Sequence, residues 1–155
     1  MSIEKVRAYL KNLGAEDRII IFDASTATVA LAAAALGCEE AHIAKTMSFL
    51  VDGSPVLVVL AGDVRVDNHK FKQAFHKKGR MIPFAEVEGY IGHAPGGVCP
   101  FAIQEGVPVY LDISLKRFAT VYPAAGDDHS AVRVTPDELF SLAKAAGWVD
   151  VAKYS

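Results

Sequence analysis

The chain has 155 residues, with 16 Lys and Arg against 18 Asp and Glu and a formal net charge of −2. Hydrophobic residues at 52% and charged residues at 22% exclude a disordered chain, and the length fits one domain over residues 1–155. The near-neutral total speaks against an indiscriminate nucleic-acid binder and, taken alone, points toward small-molecule chemistry.

Residues 2–14 are expected to form an amphipathic helix: Ser2 can cap it, Ile3, Val6, Leu10 and Leu13 recur at helical spacing, and Gly14 stops it. The β-branched run 18–22 predicts a strand. Ser25 or Thr26 can cap a second, Ala-rich helix ending at Gly37. Residues 41–51 and 56–61 predict two strands paired as a hairpin through Asp52-Gly53-Ser54-Pro55. Asp67 caps a polar helix from Asn68 to about Lys78, closed by Gly79, and Pro83 opens a short helix over 83–88. Residues 89–100 hold four glycines and two prolines, which predicts irregular structure. Further strands are expected at 107–111, 119–122 and 131–134. Thr135-Pro136-Asp137-Glu138 is a capping box opening a last helix that Gly147 ends. This order argues for a single α+β domain with a mixed sheet flanked by helices.

Targeting and redox signals are sparse. The start, Met1-Ser2-Ile3-Glu4-Lys5-Val6, shows no basic region followed by an apolar run, so no signal peptide is expected. The apolar stretches 27–37 and 56–62 are far short of a membrane span. Cys38 and Cys99 have no metal-ligand spacing and make no disulfide framework. A cytoplasmic protein without a metal or a cofactor is the expectation.

Five groups of residues could carry chemistry. Strand alternation puts Lys45 on one face with Ile43, Met47, Phe49 and Val51, opposite His42, Ala44, Thr46, Ser48 and Leu50. A lysine on an apolar face must snorkel to water, pair with an acid, or point its ammonium into a cavity. The loop ending in Gly96-Gly97-Val98-Cys99-Pro100 can bring backbone N–H groups close to a carbonyl oxygen, or can simply be a surface loop that needs turns. Cys99 with His93 or His129 as base would make a thiol hydrolase, although a free Cys is most often a small buried hydrophobe. Gly126-Asp127-Asp128-His129 is a turn or a piece of a site.

The fifth group is a segregated charge. Residues 65–80 hold Arg65, Lys70, Lys72, Lys77, Lys78 and Arg80 against Asp67 alone, which is +5, and the other 10 basic and 17 acidic residues leave −7. Acidic partners at i±4 are missing, unlike the mixed signs of a merely solvated helix face. This is the footprint expected of phosphate contacts.

Taken together, Ala44-Lys45-Thr46 after the Ala-rich helix, Gly89-Tyr90, Gly96-Gly97-Val98-Cys99-Pro100-Phe101 and Thr135-Pro136-Asp137-Glu138-Leu139 resemble the YbaK/EbsC family. This is the family of the prolyl-tRNA synthetase-associated editing domain and its free-standing relatives, and the resemblance runs from about residue 20 to 150. It implies a curled mixed sheet and hydrolysis, in trans, of the ester in a mischarged aminoacyl-tRNA carrying a small amino acid such as Ala, Cys, Ser or Thr. It places Lys45 in the pocket for the aminoacyl end and Gly96 to Pro100 against the ester. Gly126 and His129 fall on a later substrate-binding segment. Cys99 stands where many relatives have Ser, and Ala124 where some do. The implied partners are the mischarged tRNA and an aminoacyl-tRNA synthetase, with no membrane. A non-catalytic tRNA-acceptor binder or synthetase accessory module is the alternative from another class.

Overall fold

A computed structural model describes residues 2–154. Its centre is a mixed sheet in the order β5-β2-β3-β6-β9, with β7 also on β2. The strands are β2 (Ile43–Val51), β3 (Ser54–Ala61), β5 (Gly79–Met81), β6 (Val109–Asp112), β7 (Tyr122–Pro123) and β9 (Gly147–Val149). Two antiparallel pairs complete the strands: β1 (Ile19–Ile21) with β8 (Ser130–Val132), and β4 (Val64–Val66) with β10 (Ala152–Tyr154). Among the described residues five α-helices pack around them: α1 (Ser2–Asn12), α2 (Val29–Leu36), α3 (Asn68–Phe75), α4 (Val87–Ile91) and α5 (Pro136–Leu142). The α+β class read from the sequence is what the structure has.

The β2–β3 hairpin organises the core. Asp52 and Gly53, with φ of 52° and 81°, form a two-residue turn whose positive φ values match the twist of the flanking strands. The register therefore runs from Val51↔Ser54 to Ala44↔Ala61. β3 lies between β2 and β6 and is buried on both faces, which is why 56–61 reads as an unbroken apolar run. Phe49, Phe71, Phe75 and Tyr110 stack in sequence and fasten α3 to the sheet. The buried Asp112 carboxylate accepts the Ser114 and Val151 N–H groups, both at 2.8 Å, so the end of β6 holds the C-terminal segment.

Several expected boundaries move. The cap of α2 is Thr28, not Ser25 or Thr26, and its hydroxyl accepts from the Leu31 N–H. α3 stops at Phe75 because His76 takes the left-handed conformation, and Gly79 starts β5 instead of closing the helix. The short helix expected over 83–88 is a 3-10 turn at Phe84–Glu86 followed by α4, which runs on to Ile91 into the stretch expected to be irregular; Gly92, with φ 99°, ends it. The expected strand 119–122 shrinks to β7 and a bridge from Val121 to Val134. Gly147 opens β9, whereas α5 already ends at Leu142. The short strands β4, β5, β9 and β10 had no prediction. The cap assigned to Ser2 lies outside the described side chains.

The predicted capping box is present. The Thr135 hydroxyl accepts from the Glu138 N–H at 3.1 Å, and the Glu138 carboxylate accepts from the Thr135 N–H at 2.9 Å. The same carboxylate takes two bonds from Arg18, at 3.0 and 2.6 Å, tying α5 to the segment before β1. Thr135→Ala removes one side of the box and is expected to cost about 1 kcal/mol of stability, seen as a melting temperature lower by about 2–4 °C. An unchanged melting curve would show that the Arg18 bond alone holds the helix start.

Candidate functional site

Strand β2 has two edges. β3 takes one along residues 44–51. The other is divided: β7 pairs with Ile43 and Ala44, and β5 pairs with Phe49 to Val51. Ile82 extends the β5 side by donating its N–H to the Ser48 carbonyl at 3.1 Å. Residues 45–47 have no strand on this edge. Because backbone groups alternate along a strand, the edge that receives the Ser48 carbonyl also receives the N–H and carbonyl of Thr46.

A cavity of about 260 Å³ opens over this gap. Its floor is Ala44, Lys45, Thr46 and Ser48, and one wall is the start of α2, including Thr28 and Ala32. Gly96 and Val98 form a second wall, and Tyr122, Ala124 and Ser130 a third. The lining is mostly small side chains. The volume falls below the roughly 300–1,000 Å³ of pockets for drug-sized ligands, so the space suits a small group. The Thr46 hydroxyl oxygen is buried and has no hydrogen-bond partner.

Lys45 lies at the gap and lines the cavity, although alternation placed it opposite Thr46 and Ser48. Both sets reach the same space because the cavity wraps around an unpaired edge. The Lys45 ammonium donates to the carbonyl of Val64 in β4. Burial pushes its pKa down, and the nearby Asp63 carboxylate opposes that shift. Asp63 is itself gripped by Arg117 through two bonds, at 3.0 and 2.6 Å, which hold its carboxyl below the usual range. The lysine is thus half-buried and only partly neutralised.

The glycine loop is fixed by a close approach. A Cβ on Gly97 would stand 2.6 Å from the Gly126 carbonyl oxygen, so this position excludes every side chain. Gly96, with φ 92°, turns the chain before it. The Gly97 N–H is already given to the Ala94 carbonyl at 3.0 Å. Of the loop glycines it is Gly96 that faces the cavity, with Val98 beside it.

Other sequence candidates lie elsewhere. Cys99 and Pro100 are buried and do not line the cavity. His129 is exposed and holds Asp128 at 2.7 Å. The 126–130 turn acts as a clasp: the Asp127 carboxylate accepts from the His129 N–H and the Ser130 hydroxyl, and the Asp128 and His129 carbonyls accept from Thr26 and Phe22 N–H. This clasp sets the Thr26–Ser130 side of the cavity. Among the basic residues, Lys70 is compensated by Asp150 at 3.3 Å and by the Ala152 carbonyl. Arg65 lies opposite Lys153 on the β4–β10 pair, so Lys153 adds a charge that no local sequence pattern had flagged. Lys72, Lys77, Lys78 and Arg80 are exposed, and Lys72 and Lys78 border a second hollow of about 340 Å³.

A thiol nucleophile at Cys99 does not fit. Burial pushes the thiol up to about 12. His93 Nε2 lies 2.6 Å from the Phe101 carbonyl, a contact in which it must donate, so it has no lone pair to take the Cys99 proton at 3.5 Å. Burial also lowers the His93 pKa, which keeps the ring neutral.

A family model described as the aminoacyl-tRNA editing domain matches residues 23–142. The chain belongs to this family. Over 154 residues the editing domain is 44% identical to the uncharacterised protein YwhH of Bacillus subtilis (strain 168), covering 99% of this chain and 98% of that one. It is 26% identical over 117 residues to a proline–tRNA ligase of Lysinibacillus sphaericus (strain C3-41), covering 74% of this chain but only 21% of the ligase. A solved structure described as a proposed trans-editing enzyme for prolyl-tRNA synthetase superposes with a TM-score of 0.89 at 30% identity, covering 98% of this chain and 97% of that one. The editing domain therefore has the YbaK-type fold that the motifs had suggested. Among its described residues no helix is long and apolar enough to cross a membrane.

Two tests follow from this geometry. Gly97→Ala must push the loop away from Gly126, and a melting temperature lowered together with weakened protection of the 126–130 backbone in hydrogen exchange is the expected result. With iodoacetamide at pH 8, partly exposed Cys38 should label before Cys99, and mass spectrometry of the folded chain would show the opposite order if the Cys99 thiolate were populated.

Proposed function

We propose that this editing domain hydrolyses the ester of aminoacyl-tRNA that carries a wrong, small amino acid, and that it acts in trans. The observation that carries this reading is the convergence of Lys45, Thr46 and the Gly96–Val98 wall on one small cavity at the unpaired edge of β2. The family, and the end-to-end likeness to a proposed trans-editing enzyme, support the same substrate class.

An aminoacyl ester is already activated, so positioning and charge stabilisation suffice. One well-placed donor to a developing oxyanion is worth about 3–4 kcal/mol. In the proposed step, a water oriented by the terminal ribose hydroxyl attacks the carbonyl carbon. The Gly96 and Val98 side of the loop presents N–H groups to the oxyanion; the Gly97 N–H is committed to its turn. The carbon–oxygen bond to the ribose then breaks, and the ribose oxygen takes a proton as the free amino acid leaves. Lys45 is assigned to a carbonyl or phosphate oxygen, because the substrate's own ammonium would be repelled. The cavity volume and its small lining support selection by size. The exposed Lys72, Lys77, Lys78 and Arg80, with Arg65 beside Lys153, are assigned to tRNA phosphates, and an aminoacyl-tRNA synthetase is the proposed partner.

Deacylation of tRNA carrying alanyl, cysteinyl, seryl or threonyl esters is the direct assay. Wild type should release at least one of them, and Lys45→Ala should be about a hundredfold slower. If wild type binds these tRNAs but releases nothing, the non-catalytic binder is the right reading. The lowered Lys45 pKa sets a sign for the pH profile. The ammonium is the working form and is lost as pH rises through a value below the usual ~10.4 of lysine. Corrected for spontaneous hydrolysis, the wild-type rate should fall on the alkaline side, and a Lys45→Arg enzyme that retains activity should lose that fall.

A further inference from the structure

Residues 80–86 join the basic stretch to the cavity. The segment is anchored at Ile82, which donates its N–H to the carbonyl of Ser48 on the cavity floor, and just past its end at Val87, which is buried in the cavity wall. Between these anchors the chain presents Phe84, 79% exposed; Met81, 56% exposed, lies just before the first anchor. Phe84 is the most exposed large apolar side chain among the described residues. Chain geometry keeps its Cα within about 11 Å of the Cα of Val87. The charge changes sign across it. Lys77, Lys78 and Arg80 are exposed on one flank, and Glu86 and Glu88 are exposed on the other. A phosphate backbone is attracted to the first flank and repelled by the second, so a strand that enters along 77–80 ends near Phe84.

We propose that Phe84 is a stacking platform for an unpaired base at the 3′ end of the bound RNA, with phosphates along 77–80 and the aminoacyl group in the cavity. An aromatic face beside a basic track is how single strands are held without regard to sequence, since every base offers a π-face. A domain that must accept tRNAs by the group they carry needs a contact of this kind. The inference rests on the reading of the cavity as the aminoacyl site. A protein partner would also cover an exposed Phe, but the basic approach and the continuity with the cavity favour RNA.

The test uses the full chain and a short single-stranded RNA ending in CCA, with 2-aminopurine in place of the terminal adenine. Wild type should quench the probe on binding. Phe84→Ala should weaken the Kd about fivefold or more, and Phe84→Trp should keep it. With mischarged tRNA, Phe84→Ala should raise KM by a similar factor and leave kcat unchanged. An RNA affinity equal to wild type in Phe84→Ala, or no binding of the probe by wild type, overturns the platform. Capture of a synthetase that depends on Phe84 while RNA affinity does not also overturns it, in favour of a protein surface. Wild type that binds through Phe84 but never deacylates keeps the platform and removes the deacylase. Wild type that deacylates, with Phe84→Ala its equal in KM and Kd, does the reverse.

Discussion

The site exists because β2 has one free edge and two strands that share it without meeting. β7 runs parallel and covers residues 43–44; β5 runs antiparallel and covers 49–51. Neither takes 45–47, so the middle of a nine-residue strand inside the sheet keeps an open edge. Open edges are normally covered or blunted, because unpaired N–H and carbonyl groups invite another chain. Here α2, the glycine loop and the 126–130 turn stand around the opening and leave a small, partly open space. The polar groups that border this space are those the sheet could not use.

The walls depend on that opening in turn. The glycine loop reaches the cavity only because Gly97 has no side chain to keep it from Gly126. Gly126 belongs to a turn that fixes residues 22–26, and these lead into α2. The wall is therefore one mechanical unit built from three distant stretches of chain. Cys99, His93 and Phe101 lie behind it as buried support.

Much of this was legible in one dimension. Hairpin, capping box and Ala-rich helix rest on turn residues, caps and periodicity, which are local, and all three are present. The motif at Lys45 and the glycine loop were singled out by residue type. The rest depends on long-range pairing. β4, β5, β9 and β10 span three residues each, too short for a periodic signal, and gain strand geometry only from their neighbours. Alternation marked Lys45 as the odd residue of an apolar face, but could not tell which of its possible surroundings it has, because that depends on the strands and loops that gather around β2. Charge counting along the chain could not see that Asp150 neutralises Lys70, or that Lys153 joins Arg65.

The tight Asp52-Gly53 turn has a consequence at the far end of its hairpin. It makes Val51 and Ser54 face each other, and from there the alternation runs down β2 to Thr46, roughly 17 Å away. The turn thereby sets the parity of the strand: it decides that Thr46, and not Lys45, aims its backbone into the opening. Insertions or deletions between residues 46 and 52 that keep this hairpin are compatible with the site only in pairs. A loop at the edge of the molecule thus governs which atoms its interior presents, without touching them.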